Sequence, residues 1–217
     1  MSKSFSVSGQ HYLFEVQAFA QVVLSEGGEN YHYTLLDRPT IQIIEDVVTG
    51  VSHLGILMQT STTADEVNKV LEESRLEFHE LKRSAPRVAL PISHPLANAE
   101  SLSLEDLSEY PYLYFYQGQD TPAALYEEAL SDIPRSKTIA CSDRASLSEL
   151  IAALNGYTIT SGILVGISDG TSLVTVPLET DIELSLGYIT RKGAKLSEIE
   201  SKFVEKLTKN LDRYARF

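Results

Sequence analysis

The sequence predicts an α/β fold in which helices cover parallel sheets. In residues 4–75, short apolar or β-branched runs alternate with amphipathic stretches. The same alternation resumes after Pro86 in a new setting. No flexible low-complexity linker separates the two halves. We therefore expect two lobes that are joined by crossing strands.

The first half of the chain is predicted as three strands that alternate with three helices. Apolar residues at helical spacing predict a helix over 11–25, which Gly27 and Gly28 end. A second helix begins around Pro39 and Thr40, and a third follows the capping pair of Thr63 and Glu66. The strands between these helices are predicted at 4–8, 31–36 and 53–58.

The second half repeats this alternation with shorter elements. Helices are predicted after Ser103, over 122–131, around Leu147–Leu154, and after the capping residue Ser197. Strands are predicted at 78–81, 87–92, 113–116, 138–141, 157–161, 173–176 and 184–190.

Composition excludes several classes of function. With 18 Lys+Arg against 30 Asp+Glu, the net charge of −12 argues against a chain that grips nucleic-acid phosphates by itself. Residues 96–132 hold many acids and no Lys or Arg, which is typical of a solvated acidic surface. The single cysteine, Cys141, excludes an internal disulfide framework. No long apolar run and no export signal is present, so we expect a cytoplasmic location away from membranes.

The sequence does not predict an enzyme. Gly166–Gly170 matches the G-x-S-x-G pattern around Ser168, but a turn and a strand follow it instead of the required helix. We therefore interpret this segment as a polar loop. No two histidines stand at i+3 or i+4, and no phosphate-binding or dinucleotide motif is present, so no metal and no cofactor is expected.

Polar residues at strand ends and helix starts predict a ligand-binding cleft. Each residue alone is explained by helix capping, but together they come from both halves and would face one cleft. These candidate site residues are Ser8, Gly9, Gln10, His11, Arg38, Thr40, Met58, Gln59, Thr60, Tyr116, Gln117, Gly118, Ser142, Asp143 and Arg144.

Several strings share their order and spacing with a known family. They are Arg87–Ala97 with its His-Pro-Leu turn, Leu102–Leu107 before Tyr110-Pro111, Thr40–Gly50, Leu150–Ala153 with Gly156, and Gly187–Gly193. In these strings the chain resembles the effector-binding domain of LysR-type transcriptional regulators, which has the type 2 periplasmic-binding-protein fold.

This resemblance implies two Rossmann-like α/β lobes around a central cleft, joined by two crossing strands. The first lobe would hold 1–85 and 186–217, and the second 86–185. A small-molecule effector would bind in the cleft, where Ser8, Gln10, Thr40 and Ser142 would donate hydrogen bonds. Because the candidate list holds more basic than acidic side chains, His11, Arg38 and Arg144 indicate an anionic effector.

The resemblance also implies partners. The helices at 11–25 and 122–131 would help to form an antiparallel homodimer. DNA would be contacted only through an N-terminal winged helix-turn-helix, which this sequence does not contain, so we expect an excised fragment of a regulator. The alternatives are a free-standing solute-binding protein of the same fold and an esterase that uses Ser168.

Overall fold

The structure, a computed structural model, describes residues 3–165 and 173–214. The strands are β1 (Lys3–Gly9), β2 (Tyr31–Asp37), β3 (Leu54–Thr60), β4 (Leu76–Ser84), β5 (Arg87–Pro91), β6 (Tyr112–Phe115), β7 (Thr138–Cys141), β8 (Thr158–Thr160), β9 (Leu173–Pro177) and β10 (Leu184–Arg191). The helices are α1 (Leu13–Glu26), α2 (Thr40–Thr49), α3 (Ala64–Glu73), α4 (Arg144–Leu154) and α5 (Glu198–Tyr214). The G-x-S-x-G segment around Ser168 lies outside the described residues.

The described strands form three sheets. The first lobe contains a five-stranded sheet in the order β2-β1-β3-β10-β4, and the second contains β8-β5-β9 and the pair β6-β7. Strand β1 is parallel to β2 and β3, and β6 is parallel to β7, as predicted. The sheets are mixed, because β10 runs antiparallel to β3 and β4, and β5 runs antiparallel to β8 and β9.

Strand β3 is buried along its whole length because it lies at the centre of the five-stranded sheet. Helix α2 covers one face of this sheet with Ile43, Ile44 and Val47, and it ends at Gly50, whose positive φ of 81° closes the helix. Helices α1 and α5 pack on each other, and Phe203 of α5 lies against Phe5 of β1. This packing fixes the carboxyl ends of β1 and β3 at one edge of the first lobe.

Two strand connections cross between the sheets. Strand β4 of the five-stranded sheet is followed at once by β5 of the three-stranded sheet, and β9 returns to β10.

The register of β10 against β4 shifts between Leu186 and Gly187, which is a β-bulge. At Gly187 an added Cβ would lie 2.2 Å from the carbonyl oxygen of His79, so a side chain has no room there.

Two predicted helices of the second half are wrong. After Ser103 the chain forms turns, which hydrogen bonds between Ser103 and Asp106 close. Over 122–131 a single 3-10 turn, Ala123–Leu125, replaces the predicted helix. The chain becomes extended at Tyr126, with φ −72° and ψ 149°. This path lets Leu125 pack into the apolar cluster between the five-stranded sheet, α2 and α3. Tertiary burial of one leucine therefore overrides local helix propensity.

Candidate functional site

A cavity of about 900 Å³ lies between the two lobes. The first lobe contributes the start of α1 and the ends of β2 and β3, and the second contributes α4, β8 and the segment that follows β6. Its volume is in the range of small-molecule sites, roughly 300–1,000 Å³. The lining residues used below are His11, Tyr12, Leu13, Val16, Asp37, Met58, Phe115, Glu127, Glu128, Asp143, Arg144, Leu147, Ser148, Glu149, Ile159, Ile163 and Val165.

His11 joins the two lobes at the edge of the cavity. Its backbone N–H donates to Glu127 Oε1, with 2.8 Å between nitrogen and oxygen. Its Nδ1 also lies 2.8 Å from Glu127 Oε2. The imidazole stacks on the Phe115 ring, with centroids 3.7 Å apart. Burial alone would lower the pKa of His11, but the hydrogen bond and the charge of Glu127 outweigh it and raise that pKa. The pair is therefore favoured as an ion pair.

Thr40 and Gln117 make a second contact between the lobes. The first N–H groups of a helix have no partner within the helix, and the Thr40 N–H donates to Gln117 Oε1 at 2.9 Å. The hydroxyl of Thr40 accepts from Gln10 Nε2 at 2.6 Å. The Gln10 Oε1 in turn accepts from the Met58 N–H and the Tyr12 hydroxyl. The N–H group and the hydroxyl of Thr40 at the start of α2 are thus hydrogen-bonded by side chains of the protein itself.

Asp37 and Arg144 form the third contact. The Arg144 guanidinium lies 2.9 Å from Asp37 Oδ2, and both side chains are partly exposed. Arg144 opens helix α4, which Asp143 caps by accepting a hydrogen bond from the Ser146 N–H at 2.9 Å. The three contacts surround the cavity and hold the lobes against each other.

Two buried carboxyl groups stand out because one or both of their oxygens lack a hydrogen-bond partner among the residues that the structure describes. Glu128 is 5% exposed and its Oε1 accepts from the Phe115 N–H at 2.7 Å, whereas its Oε2 has no hydrogen-bond partner. Glu15 is 1% exposed and neither of its oxygens has a partner. Burial, above all, raises the pKa of both groups well above the usual range.

Several predicted site residues line the cavity or close it. His11, Met58, Asp143 and Arg144 line it, whereas Gln10, Thr40 and Gln117 do not line it but form a hydrogen-bond chain behind the lining residues Tyr12 and Met58. The remaining predicted residues are not among the lining residues: Ser8, Gly9, Arg38, Gln59, Thr60, Tyr116, Gly118 and Ser142.

Several of these remaining side chains make hydrogen bonds or ion pairs with other residues of the first lobe. The Ser8 hydroxyl donates to Asp46 Oδ2 at 2.6 Å, and Arg38 Nε lies 3.4 Å from the same oxygen. The Gln59 amide donates to Asn68 Oδ1, and the Thr60 hydroxyl contacts the hydroxyls of neighbouring threonines. These side chains therefore contact α2, α3 and the turn before α3 in their own lobe.

Sequence reasoning missed Phe115, Glu127 and Glu128. The two glutamates belong to the acidic stretch that was interpreted as a solvated surface, yet they are 4% and 5% exposed. A pair of adjacent acids between apolar residues was the available signal, and the wrongly predicted helix over 122–131 hid it.

Among residues 3–165 and 173–214, no group of three His, Cys, Asp or Glu side chains is placed to hold a metal ion. In the same residues, no helix is long and apolar enough to cross a membrane.

Two α/β lobes that enclose a cavity define a ligand-binding domain of the periplasmic-binding-protein type. The sequence matches the family described as LysR substrate binding domain over residues 32–212, and the chain belongs to that family. LysR substrate-binding domains are parts of transcriptional regulators, which are not enzymes. No curated protein matches the sequence.

Solved structures support the same fold. HinK, a LysR family transcriptional regulator from Pseudomonas aeruginosa, is 18% identical over 97% of this chain and 71% of its own, with a TM-score of 0.64. The effector-binding domain of QuiR in complex with shikimate is 16% identical over 99% of both chains, with a TM-score of 0.64. The reduced form of OxyR is 16% identical over 99% of this chain and 98% of its own, with a TM-score of 0.66.

Proposed function

We propose that this domain binds a small-molecule effector in the cavity between the lobes and thereby controls DNA binding by a LysR-type regulator. The observation that carries the proposal is the cavity of about 900 Å³ that both lobes line. The complex of QuiR with shikimate supports a small molecule in a domain of this fold. The division into lobes at 1–85 with 186–217 and at 86–185 is part of the proposal.

The three interlobe contacts supply the coupling. A ligand shifts a conformational equilibrium only by its different affinity for the two states. Binding in the cavity would change the spacing between Glu127 and His11 and between Gln117 and Thr40, which lie on opposite lobes. We propose that the resulting change in lobe arrangement is the signal that the regulator transmits.

The first experiment is a thermal-shift screen of metabolites on the whole chain. A ligand that binds only the folded state raises the melting temperature in a concentration-dependent way. The screen is repeated on Ser148→Trp, which fills the cavity, and on Ser146→Trp, which places the same ring elsewhere on α4. We expect stabilisation in the wild type and in Ser146→Trp but not in Ser148→Trp. Equal stabilisation of both variants would contradict binding in the cavity.

Coupling to lobe arrangement is tested by distance measurements between spin labels. Glu45 on α2 and Glu105 in the second lobe are both exposed and can be replaced by cysteine for labelling, with Cys141 changed to serine. We expect the distance distribution between the two labels to change when the ligand identified by the screen is added. An unchanged distribution at saturation would contradict the proposed signal.

We also propose that two copies pair through α1 and the segment 122–131, as the resemblance implies. Leu24 of α1 is 87% exposed, which supports an apolar contact outside the single chain. Leu24→Glu would therefore shift the sedimentation of the chain towards the monomer, while Leu154→Glu, at a 45% exposed position on α4, would not. A monomeric wild type at high concentration would contradict this pairing.

A further inference from the structure

The cationic side chains that line the described part of the cavity are already paired with acids of the protein. His11 contacts Glu127 and Arg144 contacts Asp37, and each pair joins one lobe to the other. An anionic ligand would have to compete with Glu127 or Asp37 for a cationic partner. A carboxylate that loses its water in the cavity would otherwise find no cation in return. The paired charges therefore favour a ligand that carries no negative charge.

The other acids of the lining do not provide a buried partner for a cation. Asp143 and Glu149 line the cavity from exposed positions at the start of α4 and along it. Ion pairs with such exposed groups are weak, because solvent competes for both charges. Glu128 adds no free charge, because burial raises its pKa and favours the neutral acid. The charges of the wall thus favour an uncharged ligand.

Three hydroxyl groups of the second lobe supply neutral hydrogen-bonding capacity. Thr158 and Thr160 on β8 and Ser148 on α4 all line the cavity. Within residues 3–165 and 173–214, none of these three hydroxyls hydrogen-bonds to another residue. Ser148 and Thr160 are partly exposed, and Thr158 is 8% exposed. A hydroxyl both donates and accepts, so these groups match a ligand that carries hydroxyls of its own.

Strand β8 sets the spacing between two of these hydroxyls. Residues two apart on a strand lie on the same face, whereas Ile159 between them packs in the apolar core. The Cα atoms of Thr158 and Thr160 are therefore about 6–7 Å apart. This spacing suits a six-membered ring with hydroxyl groups on neighbouring or opposite carbons. Ser148 adds a third hydroxyl from α4.

The first lobe presents apolar side chains to the same cavity. Leu13 and Val16 of α1 and Met58 of β3 line it, and Leu13 and Val16 are partly exposed. Apolar walls with a few placed polar groups are typical of small-molecule sites. A ring that carries hydroxyls around its rim and C–H groups on its face matches both lobes.

We propose that the cavity binds an uncharged, polyhydroxylated ring, such as a neutral sugar or its glycoside. The ring hydrogen-bonds to Ser148, Thr158 and Thr160 of the second lobe, and its C–H face packs on the apolar side chains of the first. This inference rests on the proposed function, because it names the chemical class of the effector for the same site.

The test compares matched probes by two-dimensional amide NMR of the whole chain. Phenyl β-D-glucopyranoside and phenyl β-D-glucuronide differ in one substituent, which is a hydroxymethyl group in the first and a carboxylate in the second. The third probe, 2-phenoxyethanol, keeps the phenyl ether without the sugar ring. We expect the glucoside to shift cavity amides and to bind at least about tenfold more tightly than either of the other probes.

Hydroxyl deletions at matched positions test the contacts. Thr160→Val and Ser148→Ala each remove one lining hydroxyl with little change of shape, and each should weaken glucoside binding by about three- to tenfold. Thr138→Val on β7 and Ser146→Ala on α4 remove exposed hydroxyls that do not line the cavity. These two controls should change the affinity by less than about twofold.

The outcomes separate this inference from the proposed function. Equal or tighter binding of the glucuronide or of 2-phenoxyethanol would overturn the inference and leave the cavity site standing. Unchanged glucoside affinity in both Thr160→Val and Ser148→Ala would do the same. If no probe shifted cavity amides, the polyhydroxylated ligand would be overturned, whereas the metabolite screen on Ser148→Trp and Ser146→Trp decides the proposed function by itself.

Discussion

The imidazole of His11 lies flat against the phenyl ring of Phe115, with 3.7 Å between centroids and 3° between planes. His11 follows β1 of the first lobe, and Phe115 ends β6 of the second. The same imidazole contacts the carboxylate of Glu127. One histidine thus combines ring stacking with an ion pair across the lobe boundary, which makes the lobe contact sensitive to its protonation.

The His11 contact predicts a pH-dependent stability. A histidine whose pKa is raised by folding stabilises the folded state fully below its unfolded value, near 6.5, and that stabilisation is lost as the pH rises through the folded value. We expect the free energy of unfolding, relative to His11→Gln, to fall by about 1 kcal/mol between pH 6 and pH 9. Urea unfolding across this range measures it.

The control for this experiment is His32→Gln, since His32 is exposed on β2. That variant should retain the wild-type pH profile. His94 contributes with the opposite sign, because burial lowers its pKa, and so the comparison is made between variants and not on the wild type alone. Parallel profiles for the wild type and His11→Gln would show that the ion pair does not form.

The Asp37–Arg144 pair predicts a modest interaction energy. Its side chains are 35% and 27% exposed, so solvent weakens the attraction. A double-mutant cycle with Asp37→Asn and Arg144→Gln should give a coupling of about 0.5–1 kcal/mol in urea unfolding. High salt should reduce this value. A coupling of zero at low salt would contradict a stable contact in solution.

Glu15 predicts a stabilising substitution. Its carboxyl lies over Gly9, where an added Cβ would be 1.9 Å from Glu15 Oε2, and neither oxygen has a hydrogen-bond partner within residues 3–165 and 173–214. Because burial raises its pKa, the glutamate stabilises the fold less as the pH rises above its unfolded value of about 4.3. Glu15→Gln should raise the melting temperature by about 2–4 °C at pH 8.

The gain from Glu15→Gln should shrink at pH 5, where the wild-type carboxyl is closer to its neutral form. Glu29→Gln, at an exposed position after α1, serves as the matched control and should change the melting temperature little at either pH. A lower melting temperature for Glu15→Gln at pH 8 would indicate that the charged form has a partner in solution.

Gly187 predicts a large cost for a single methyl group. A Cβ there would lie 2.2 Å from the backbone oxygen of His79 and 2.6 Å from the Phe78 ring, and β4 cannot move without breaking its pairing with β10. Gly187→Ala should destabilise the fold by about 1–3 kcal/mol, measured by urea unfolding. Gly28→Ala serves as the contrast, since no atom of the described part of the chain lies within 4 Å of its added Cβ, and its cost comes from the positive φ. Near-wild-type stability of Gly187→Ala would contradict the bulge geometry.

Local sequence patterns were sufficient to predict most elements of the first lobe. The apolar stripe of α2 and the continuous apolar run of β3 are signals that lie within ten residues, so periodicity alone places them. The apolar spacing around Leu147–Leu154 predicted α4 in the same way. Family membership also followed from short strings in order, which the match over residues 32–212 confirms.

The direction of β10 and the path of residues 122–131 depend on long-range packing that local patterns do not encode. Strand β10 returns from the second lobe and must insert between β3 and β4, and no property of its own residues encodes that direction. Leu125 is buried by α2 and α3, which lie far away in sequence, and the helix predicted there gives way to that packing.

The residues of the candidate site also fall into those that local sequence placed and those that only the folded chain revealed. The amino-acid sequence was sufficient to place polar residues such as His11, Thr40 and Arg144 at strand ends and helix starts, because capping and strand-end chemistry are local. It did not determine their partners: Glu127, Gln117 and Asp37 reach them across the lobe boundary. Which charged groups meet across a cavity depends on the tertiary structure, so these pairings became visible only in the folded chain.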